Sequence, residues 1–448
     1  MLFRSQVVDR GSFERFRASI EPEWIEEALA ATGSATVRKR RLPAEQVCWL
    51  VVGMALFRNL PIDEVVRELE LALPGTRGRE VVSSAVAQAR SRLGPEPMQW
   101  LFQRTAREWA HASAEAWRWR GLKVYGLDGT SVRVPDSKEN RSHFGPVQAG
   151  DARGLSGYPL VRMVTLMALR SHLLVGASFG PHATGEIGYA KALWSLVPDD
   201  SLTIVDRGFL SAALLIPLAR DGQGRHWLTR ARSNTAFTRV KALGRGDALV
   251  ELTVTDHAVA TDASLKGHGP WRMRAIEYRR PGFRPQTLLT SMTDADAFPA
   301  AEIRELYHER WELELGFDEV KTEMLEREES IRSRKVAGVE QELWGLLLAY
   351  NLIRLEMERI AREAGVAPTR ISFVAALRFV RVTLLGLVFA SPGTIPKRLV
   401  RLREDIGHFV LPERRRQRRY PRAVKTKMSN YPRKRPAGDA KRWPGSAN

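Results

Sequence analysis

Cysteine and long apolar runs are the scarcest features of this chain. Cys48 is its only cysteine, which excludes both a disulfide framework and a thiolate metal site. The first residues lack the apolar core of a signal peptide. The longest apolar runs, 343–353 and 382–390, are shorter than the roughly 20 residues that a membrane-spanning helix needs. We therefore expect a soluble, cytoplasmic protein with no membrane partner.

Acidic residues are also few in comparison with basic ones. The chain has 70 Lys and Arg residues against 51 Asp and Glu residues, for a net charge of +19 and a pI near 10.4. This balance favours a polyanionic partner, most simply nucleic acid. Residues 412–448 hold thirteen of the cations against two carboxylates. They are predicted to form a mostly disordered basic tail; a merely solubilising tail is the alternative.

The length and an apolar content of 44% are sufficient for two or three domains. Residues 1–118 are predicted to be all-helical, with helices at 43–57, at 62 to about 71 and at 84–93. Residues 75–78 read as a loop. Short helices separated by breaks are typical of a helix-turn-helix DNA-binding module.

The helix predicted at 84–93 carries Gln88, Arg90 and Arg92 on its polar side. Gln and Arg are the side chains that read adenine and guanine edges in the major groove. These three residues are therefore candidate DNA contacts on an exposed face. The alternative is that they are ordinary solvated charges.

Strand patterns begin near residue 119. Residues 119–335 are predicted to form a mixed α/β core of strands and helices, with a β-rich insertion at 233–292 that alternates apolar residues with Gly- and Pro-rich turns. The segment 123–135 reads as a strand, a glycine turn and a returning strand. Residues 336–411 return to amphipathic helix and are predicted to form a C-terminal helical region.

Two aspartates lie at the ends of predicted buried strands. Asp128 follows the mostly apolar run 124–127, and Asp206 follows 202–205. Such a carboxylate is desolvated unless it is paired or metal-bound. If the strands are neighbours and a helix adds Glu314, three carboxylates offer the oxygen ligands that Mg²⁺ or Mn²⁺ accepts, and two such ions support in-line phosphoryl transfer. The alternatives are a simple turn at Asp128 and a helix cap at Asp206.

The segment 307–324 reads as one uninterrupted helix. At about 100° per residue, a stripe about 60° wide contains Tyr307, Arg310, Glu314 and Lys321. The neighbouring face is apolar. A helix docked through that face would hold an aromatic ring, two cations and a carboxylate at the border of the core, where a polyanion could meet an acidic active site. The alternative is a solvated face in which Arg310 and Glu314 pair in the less favourable i, i+4 order.

The same four residues, spaced Tyr-x2-Arg-x3-Glu-x6-Lys, are similar to the Tyr–Arg–Glu–Lys signature of the insertion-sequence-four family of bacterial transposases. The signature is highly specific. The motifs DGT at 128–130 and DRGF at 206–209 resemble the two aspartate motifs of that family in the expected order, and LPAEQV and SSAVAQARSRLG resemble its N-terminal domain. The resemblance covers most of residues 20–430.

The resemblance implies an α/β fold: an RNase H-like mixed-sheet catalytic core with a β-rich insertion, behind an all-α N-terminal DNA-binding domain. It implies cut-and-paste transposition at inverted-repeat ends, dependent on Mg²⁺ with Mn²⁺ as a substitute, by a homodimer assembled on DNA. Asp128, Asp206 and Glu314 would be the catalytic metal ligands.

By the same resemblance, Tyr307, Arg310 and Lys321 would hold the DNA backbone near the cleaved end. The residue types agree, because Arg suits bidentate phosphate contact and Lys a point charge. Family members that form hairpin intermediates use a Trp of the insertion to hold a flipped base. Trp271 and Trp227 are the candidates here, with a core position as the alternative. His143, His172, His182 and His308 lack metal-ligand spacing and are given no role.

Two other functions stay open at this point. One is a stand-alone metal-dependent nuclease on the same fold, although a helical N-terminal module and a long β insertion exceed what simple hydrolysis needs. The other is a DNA-binding regulator descended from a transposase. Terminal inverted repeats and a short target duplication in the flanking DNA would favour transposition over both.

Overall fold

The computed structural model describes residues 20–35, 42–69, 71, 82–145, 157–279, 285–326, 330–387, 401 and 403–412. Before the first strand, the described residues form α1 Pro22–Ala31, α2 Ala44–Leu56, α3 Ile62–Glu68, α4 Ser83–Leu93 and α5 Glu96–Ala116. The predicted all-helical character is confirmed for this part of the chain. The predicted loop at 75–78 and the basic tail beyond Pro412 lie outside the described residues.

The strands that follow are β1 Lys123–Arg133, β2 Leu160–Ala168, β3 Leu174–Pro181, β4 Ser201–Val205, β5 Arg225–Arg230, β6 Thr238–Gly244, β7 Asp247–Leu252, β8 Trp271–Tyr278 and β9 Gln286–Thr290. The helices among and after them are α6 Lys138–Phe144, α7 Glu186–Lys191, α8 Ala212–Arg220, α9 Asp256–Thr261, α10 Ala300–Leu306, α11 Trp311–Asp318, α12 Val336–Glu363 and α13 Phe373–Leu387. Among these strands and helices, α6, β6 and α9 were not predicted.

All nine strands belong to one sheet, in the order β3-β2-β1-β4-β5-β9-β8-β7-β6. Strands β1, β2 and β3 pair antiparallel, while β4 runs parallel to both β1 and β5. Every residue of β4 is buried, as expected of a central parallel strand. The order 3-2-1-4-5 with these directions is the RNase H-like arrangement, so the predicted fold is confirmed.

The predicted glycine turn within 123–135 is wrong, because β1 continues straight through Gly129 and pairs with β2 along its full second half. The glycines serve close packing instead. A Cβ on Gly126 would lie 2.6 Å from Leu169 and 2.9 Å from Leu313, and one on Gly129 would lie 2.6 Å from the Glu186 carboxylate. These distances are too short for any side chain, so helices α11 and α7 can approach the strand only where it has none.

The β-rich insertion extends the core sheet. Strand β9 pairs antiparallel with β5, and β8, β7 and β6 follow outward by antiparallel pairing. A buried ion pair ties it to the following loop: Arg274 contacts Asp247 at 2.8 Å and donates to the carbonyl of Phe298 at 2.6 Å. The insertion and the core therefore form one continuous layer.

Helices cover both faces of the core sheet. Successive strand residues point to opposite faces, and Tyr125 bonds His111 of α5 at 2.9 Å while its neighbour Gly126 meets Leu313 of α11. Asp128 is on the same face as Gly126, because it lies two residues further on. The α11 side of the sheet is therefore the side on which Asp128 can meet Glu314.

Helix α12 joins the N-terminal helices to the core. It packs against α2 and α5, and Trp344 contacts Phe102 of α5 and Phe179 of β3 at ring distances of 5.4 and 4.6 Å. Gly345 lets it approach α2 closely, because a Cβ there would lie 2.4 Å from Val51. The described N-terminal helices and α12 consequently share one hydrophobic core.

The segment 307–324 is helical throughout but is not one α-helix, so that prediction needs correction. Tyr307–Arg310 is a 3₁₀ turn, α11 follows, and Glu319–Met324 is a π-helical turn. Tertiary contacts at both ends accompany the change. Glu309 forms a two-point ion pair with Arg170, and Glu319 is bonded to Arg354.

Candidate active site

Strand register brings Asp128 and Asp206 to the same place. The parallel pairing of β1 with β4 ends at Leu127 opposite Val205, so the next residue on each strand is an aspartate. Asp128 accepts a hydrogen bond from the Gly129 N–H at 2.8 Å. Asp206 ends its strand and caps the 3₁₀ turn that follows, accepting from the Gly208 N–H at 3.4 Å. Asp206 therefore both caps the following turn, as the alternative interpretation predicted, and lies at the strand end next to that of Asp128.

Glu314 of α11 is the third carboxylate at this place. A cavity of about 560 Å³ is lined by Asp128, Gly129, Thr130, Asp206, Arg207, Arg230, Arg310, Glu314, Phe317, Asp318, Lys321 and Thr322. Its walls therefore combine acidic side chains from β1, from the end of β4 and from α11 with four cations. An acidic floor with a cationic rim suits a phosphodiester approaching a metal-binding site.

Arg310 is paired with carboxylates of the cavity. Its guanidinium bonds Glu314 at 2.8 Å and lies 3.9 Å from Asp128. Lys321 is half-buried and lines the same cavity. Tyr307 differs from the other members of the predicted stripe: it is buried, packs edge-on against Tyr278 at 6.0 Å, and does not line the cavity.

The environment of Asp128 opposes its negative charge. Burial raises the pKa of Asp128 to about 6; the Gly129 N–H and Arg310 lower it, while Asp206 and Glu186 add to the rise. Glu186 acts through the strand, because its carboxylate lies against Gly129, whose side of the sheet is opposite to that of Asp128. Sequence reasoning did not find Glu186, because Gly129 was interpreted as a turn and not as a place where another side chain approaches the strand.

The donor set fits a hard divalent cation by its chemistry, since carboxylate oxygens are the ligands that Mg²⁺ and Mn²⁺ accept. The raised pKa of Asp128 shows that negative charge is under-compensated there. Within the described ranges, however, no three His, Cys, Asp or Glu side chains are gathered tightly enough to hold a metal ion. Glu314 is paired instead with Arg310 at 2.8 Å.

Comparison with known proteins gives the family. A model described as "Transposase DDE domain" matches residues 119–352, and one described as "Insertion element 4 transposase N-terminal" matches residues 10–103. The chain belongs to the insertion element 4 family of DDE transposases. The prediction of a DNA transposase is thereby confirmed.

Two relatives of this transposase come from Escherichia coli K12. "Transposase InsG for insertion sequence element IS4" is 40% identical over 414 residues, which cover 92% of each chain. "Putative transposase InsZ" is 38% identical over 231 residues, covering 51% of this chain and 75% of that one. A cryo-EM structure of a piggyBac transposase synaptic complex with hairpin DNA matches at 12% identity and a TM-score of 0.43, over 91% of this chain and 86% of that one, a likeness too slight to support an argument.

The helix predicted to read DNA is only partly available in the transposase. Gln88 and Arg92 of α4 are exposed, and their contact with DNA stays a prediction. The expectation that Arg90 lies on the same exposed face is wrong. Its guanidinium donates to Gln341 at 2.9 Å and to Ser333 at 3.0 Å, and burial lowers the pKa of Arg90.

The reason for this difference is a helix distant in sequence. Gln341 of α12 donates to the carbonyls of Arg90 and Gly94 at 3.0 and 2.7 Å, which adds a second bond to the Arg90 carbonyl beside that from the Gly94 N–H. The polar side of α4 is thus divided between a buried contact and solvent, which a helical wheel cannot show.

Both Trp candidates for base capture are buried, Trp227 on β5 of the core sheet and Trp271 on β8 of the insertion. Trp227 and Trp271 are 1% and 8% exposed and pack on each other with ring centroids 5.3 Å apart. The core alternative is therefore the one that the structure bears out. None of the helices in the described parts of the transposase is long and apolar enough to cross a bilayer.

Proposed function

We propose that Asp128, Asp206 and Glu314 are the catalytic carboxylates with which this transposase cuts and joins DNA, in a reaction that depends on Mg²⁺ or Mn²⁺. The observation that carries the proposal is that β1, the end of β4 and α11 each contribute one of them to a single cavity. Divalent ions held by these oxygens would supply an activated water or 3′-hydroxyl and a counter-charge for the leaving oxygen.

The cations of the cavity would bind the DNA backbone. Arg310 presents a planar fork that matches a phosphate as well as it matches the Glu314 carboxylate, so a bound phosphate can take the place of Glu314. Lys321 would add a point charge and Arg207 a second guanidinium among the residues that line the cavity. This exchange would free Glu314 for its catalytic role when DNA enters. Tyr307, buried beside them, would support the 3₁₀ turn that carries Arg310.

We further propose that the substrates are the inverted-repeat ends of an insertion sequence, excised by cut-and-paste transposition. An element has two ends, so two copies of the chain would act together as a homodimer on DNA. The exposed Gln88 and Arg92 would take part in recognising the ends, and residues 412–448 would add sequence-independent attraction through their net charge of +11. These roles agree with the predicted division of the chain into an N-terminal DNA-binding domain, a catalytic core, a C-terminal helical region and a basic tail, at 1–118, 119–335, 336–411 and 412–448.

The test uses a plasmid that carries two inverted-repeat ends taken from the DNA beside the gene. The full-length chain should release the intervening segment with Mg²⁺, and Asp128→Ala, Asp206→Ala and Glu314→Ala should each abolish strand cleavage while still binding end DNA in a gel shift. The matched control is Glu302→Gln on α10. This change removes an exposed ion pair with Arg120, and the variant should cut at the wild-type rate. Cleavage by Asp206→Ala at the wild-type rate would refute the assignment.

A further inference from the structure

The helical segment that carries Glu314 has a second polar face. Arg310 and Lys321 line the cavity together with Glu314. Glu312 lies about 160° around α11 from Glu314, and Glu319 begins the π-helical turn that follows α11. Neither Glu312 nor Glu319 lines the cavity, so the reaction as described leaves both carboxylates unexplained.

These two carboxylates meet a buried group of polar side chains, here called the anchoring cluster: His172, Glu312, Glu319, Tyr350 and Arg354. Glu319 accepts hydrogen bonds from the Tyr350 hydroxyl at 2.8 Å and from Arg354 Nε at 3.1 Å, and Arg354 Nη2 bonds its other oxygen. Arg354 also donates to His172 Nδ1. On its other side, His172 Nε2 lies 2.8 Å from the Glu312 carboxylate, and His172 Nδ1 also lies 3.4 Å from Glu319.

The cluster is deeply buried, with side-chain exposures of 1% for His172 and Arg354, 12% for Glu312 and 16% for Glu319. Burial raises the pKa of Glu319, but Arg354 and His172 outweigh it and lower that pKa to about 2. Each charge in such a place depends on its partners, because an unpaired buried charge is strongly unfavourable. The charges of the group are therefore held by their contacts with one another, although Arg354 Nη1 has no hydrogen-bond partner among the described residues.

The surrounding backbone is fitted closely to this arrangement. Gly316 lies between the two carboxylates, and a Cβ there would be 2.4 Å from Met167 and 3.4 Å from the Tyr350 hydroxyl. His172 ends the tight turn between β2 and β3 with a left-handed φ of 64°. The cluster thus connects the helix of Glu314 to the β2–β3 turn and to α12, and no side chain separates them.

We propose that the anchoring cluster positions the Glu314 carboxylate for strand cleavage. The inference rests on the proposed catalytic role of Glu314. Glu312 is held two residues before Glu314 and Glu319 five residues after it, so the two tethers fix both the rotation and the height of the helix. Precise placement matters because a displacement of about 1 Å in a reacting group can slow a reaction by roughly 100-fold. The members of the cluster are positioning residues that act through Glu314.

Two variants separate positioning from mere stability. Glu319→Gln keeps the size of the side chain and an acceptor for Tyr350, but it loses the ion pair with Arg354. Glu319→Gln combined with Arg354→Met removes both charges, so that neither is left buried alone. Glu302→Gln, which removes an exposed ion pair outside the cluster, is the control. The measurements are the cleavage rate at saturating end DNA and Mg²⁺, the gel-shift affinity for end DNA, and the thermal midpoint with and without Mn²⁺.

For Glu319→Gln we expect cleavage at least about 10-fold slower, an unchanged affinity for end DNA, and a smaller rise of the thermal midpoint on adding Mn²⁺. The double variant should recover the thermal midpoint but not the cleavage rate. Recovery of the rate together with the midpoint would show that the cluster only stabilises the fold and would overturn the proposal. Cleavage by Asp206→Ala would overturn the proposed function instead, whereas an inactive Asp206→Ala beside a fully active Glu319→Gln would overturn only the role of the cluster.

Discussion

Replacing Asp128 with Asn should make this transposase more stable while abolishing cleavage. The folded protein raises the pKa of Asp128 from 3.8 to about 6, so at pH 7.5 folding has to accommodate a charge that the site disfavours. Because the folded pKa is above the unfolded one, the protonated form is the favourable one, and its contribution is lost as pH rises through about 6. The difference corresponds to about 3 kcal/mol at pH 7.5.

Asparagine removes that charge and keeps the contact with the strand, because its amide oxygen can still accept the Gly129 N–H that now bonds Asp128 at 2.8 Å. Only the attraction to Arg310 across 3.9 Å is lost. The gain in the free energy of unfolding should therefore approach the full value of about 3 kcal/mol at pH 7.5. It should fall to about half of that at pH 5 and should nearly vanish at pH 4, because the wild-type carboxyl takes up its proton.

Thermal unfolding of both proteins in EDTA, from pH 4 to pH 8, measures this difference. The midpoint of Asp128→Asn should exceed that of the wild type by several degrees at pH 7.5, at roughly 1–2 °C per kcal/mol for a chain of this length. The control is Asp296→Asn, in an exposed loop, for which no difference is expected. A gain that stayed constant with pH, or a loss at pH 7.5, would refute the reasoning that the site strains the Asp128 charge.

Three further outcomes are expected. Arg90→Ala should lower the thermal midpoint, because it removes the donor to Gln341 Oε1 and one of the bonds of Ser333. Gln88→Ala and Arg92→Ala should leave the midpoint unchanged and weaken end binding by roughly 1–3 kcal/mol in a gel shift; unchanged binding in both would make α4 purely structural. Deleting residues 412–448 should flatten the slope of log affinity against log salt more than it alters preference for the inverted repeat, and a lost preference with an unchanged slope would contradict this. Gly126→Ala should destabilise the fold by roughly 1–3 kcal/mol in chemical unfolding, because its Cβ would meet Leu169 and Leu313; a neutral effect would mean that α11 can retreat from β1 freely.

Local pattern was sufficient for the parts of the site that depend on one element at a time. The apolar run of β4 ending at Asp206, and the helical spacing of Arg310, Glu314 and Lys321, are properties of adjacent residues, and the structure brings these side chains to one cavity. The pair Asp128-Gly129 led to the wrong prediction of a turn, because glycine both favours turns and permits close packing. Only the strands and helices on either side of β1 decide between the two.

The parts that could not be predicted depend on contacts between distant residues. Arg90 was predicted on an exposed face, but its partners Ser333 and Gln341 are 243 and 251 residues away. His172 was given no role because it lacks metal-ligand spacing in the sequence. Its partners Glu312 and Arg354 are 140 and 182 residues away, and a helical wheel does not reveal which buried groups meet across such distances.

The continuity of the sheet through the insertion has a consequence for aggregation. Strand β9 covers the edge of β5, which would otherwise present open backbone hydrogen-bonding groups beside a buried Trp227. The outer edge passes instead to β6, which is exposed along nearly its whole length and carries Arg239 and Lys241, residues of the kind that keep strand edges from pairing between molecules. The insertion therefore protects the core strands from self-association, and a chain lacking 233–292 would be expected to aggregate rather than to fold as a smaller nuclease.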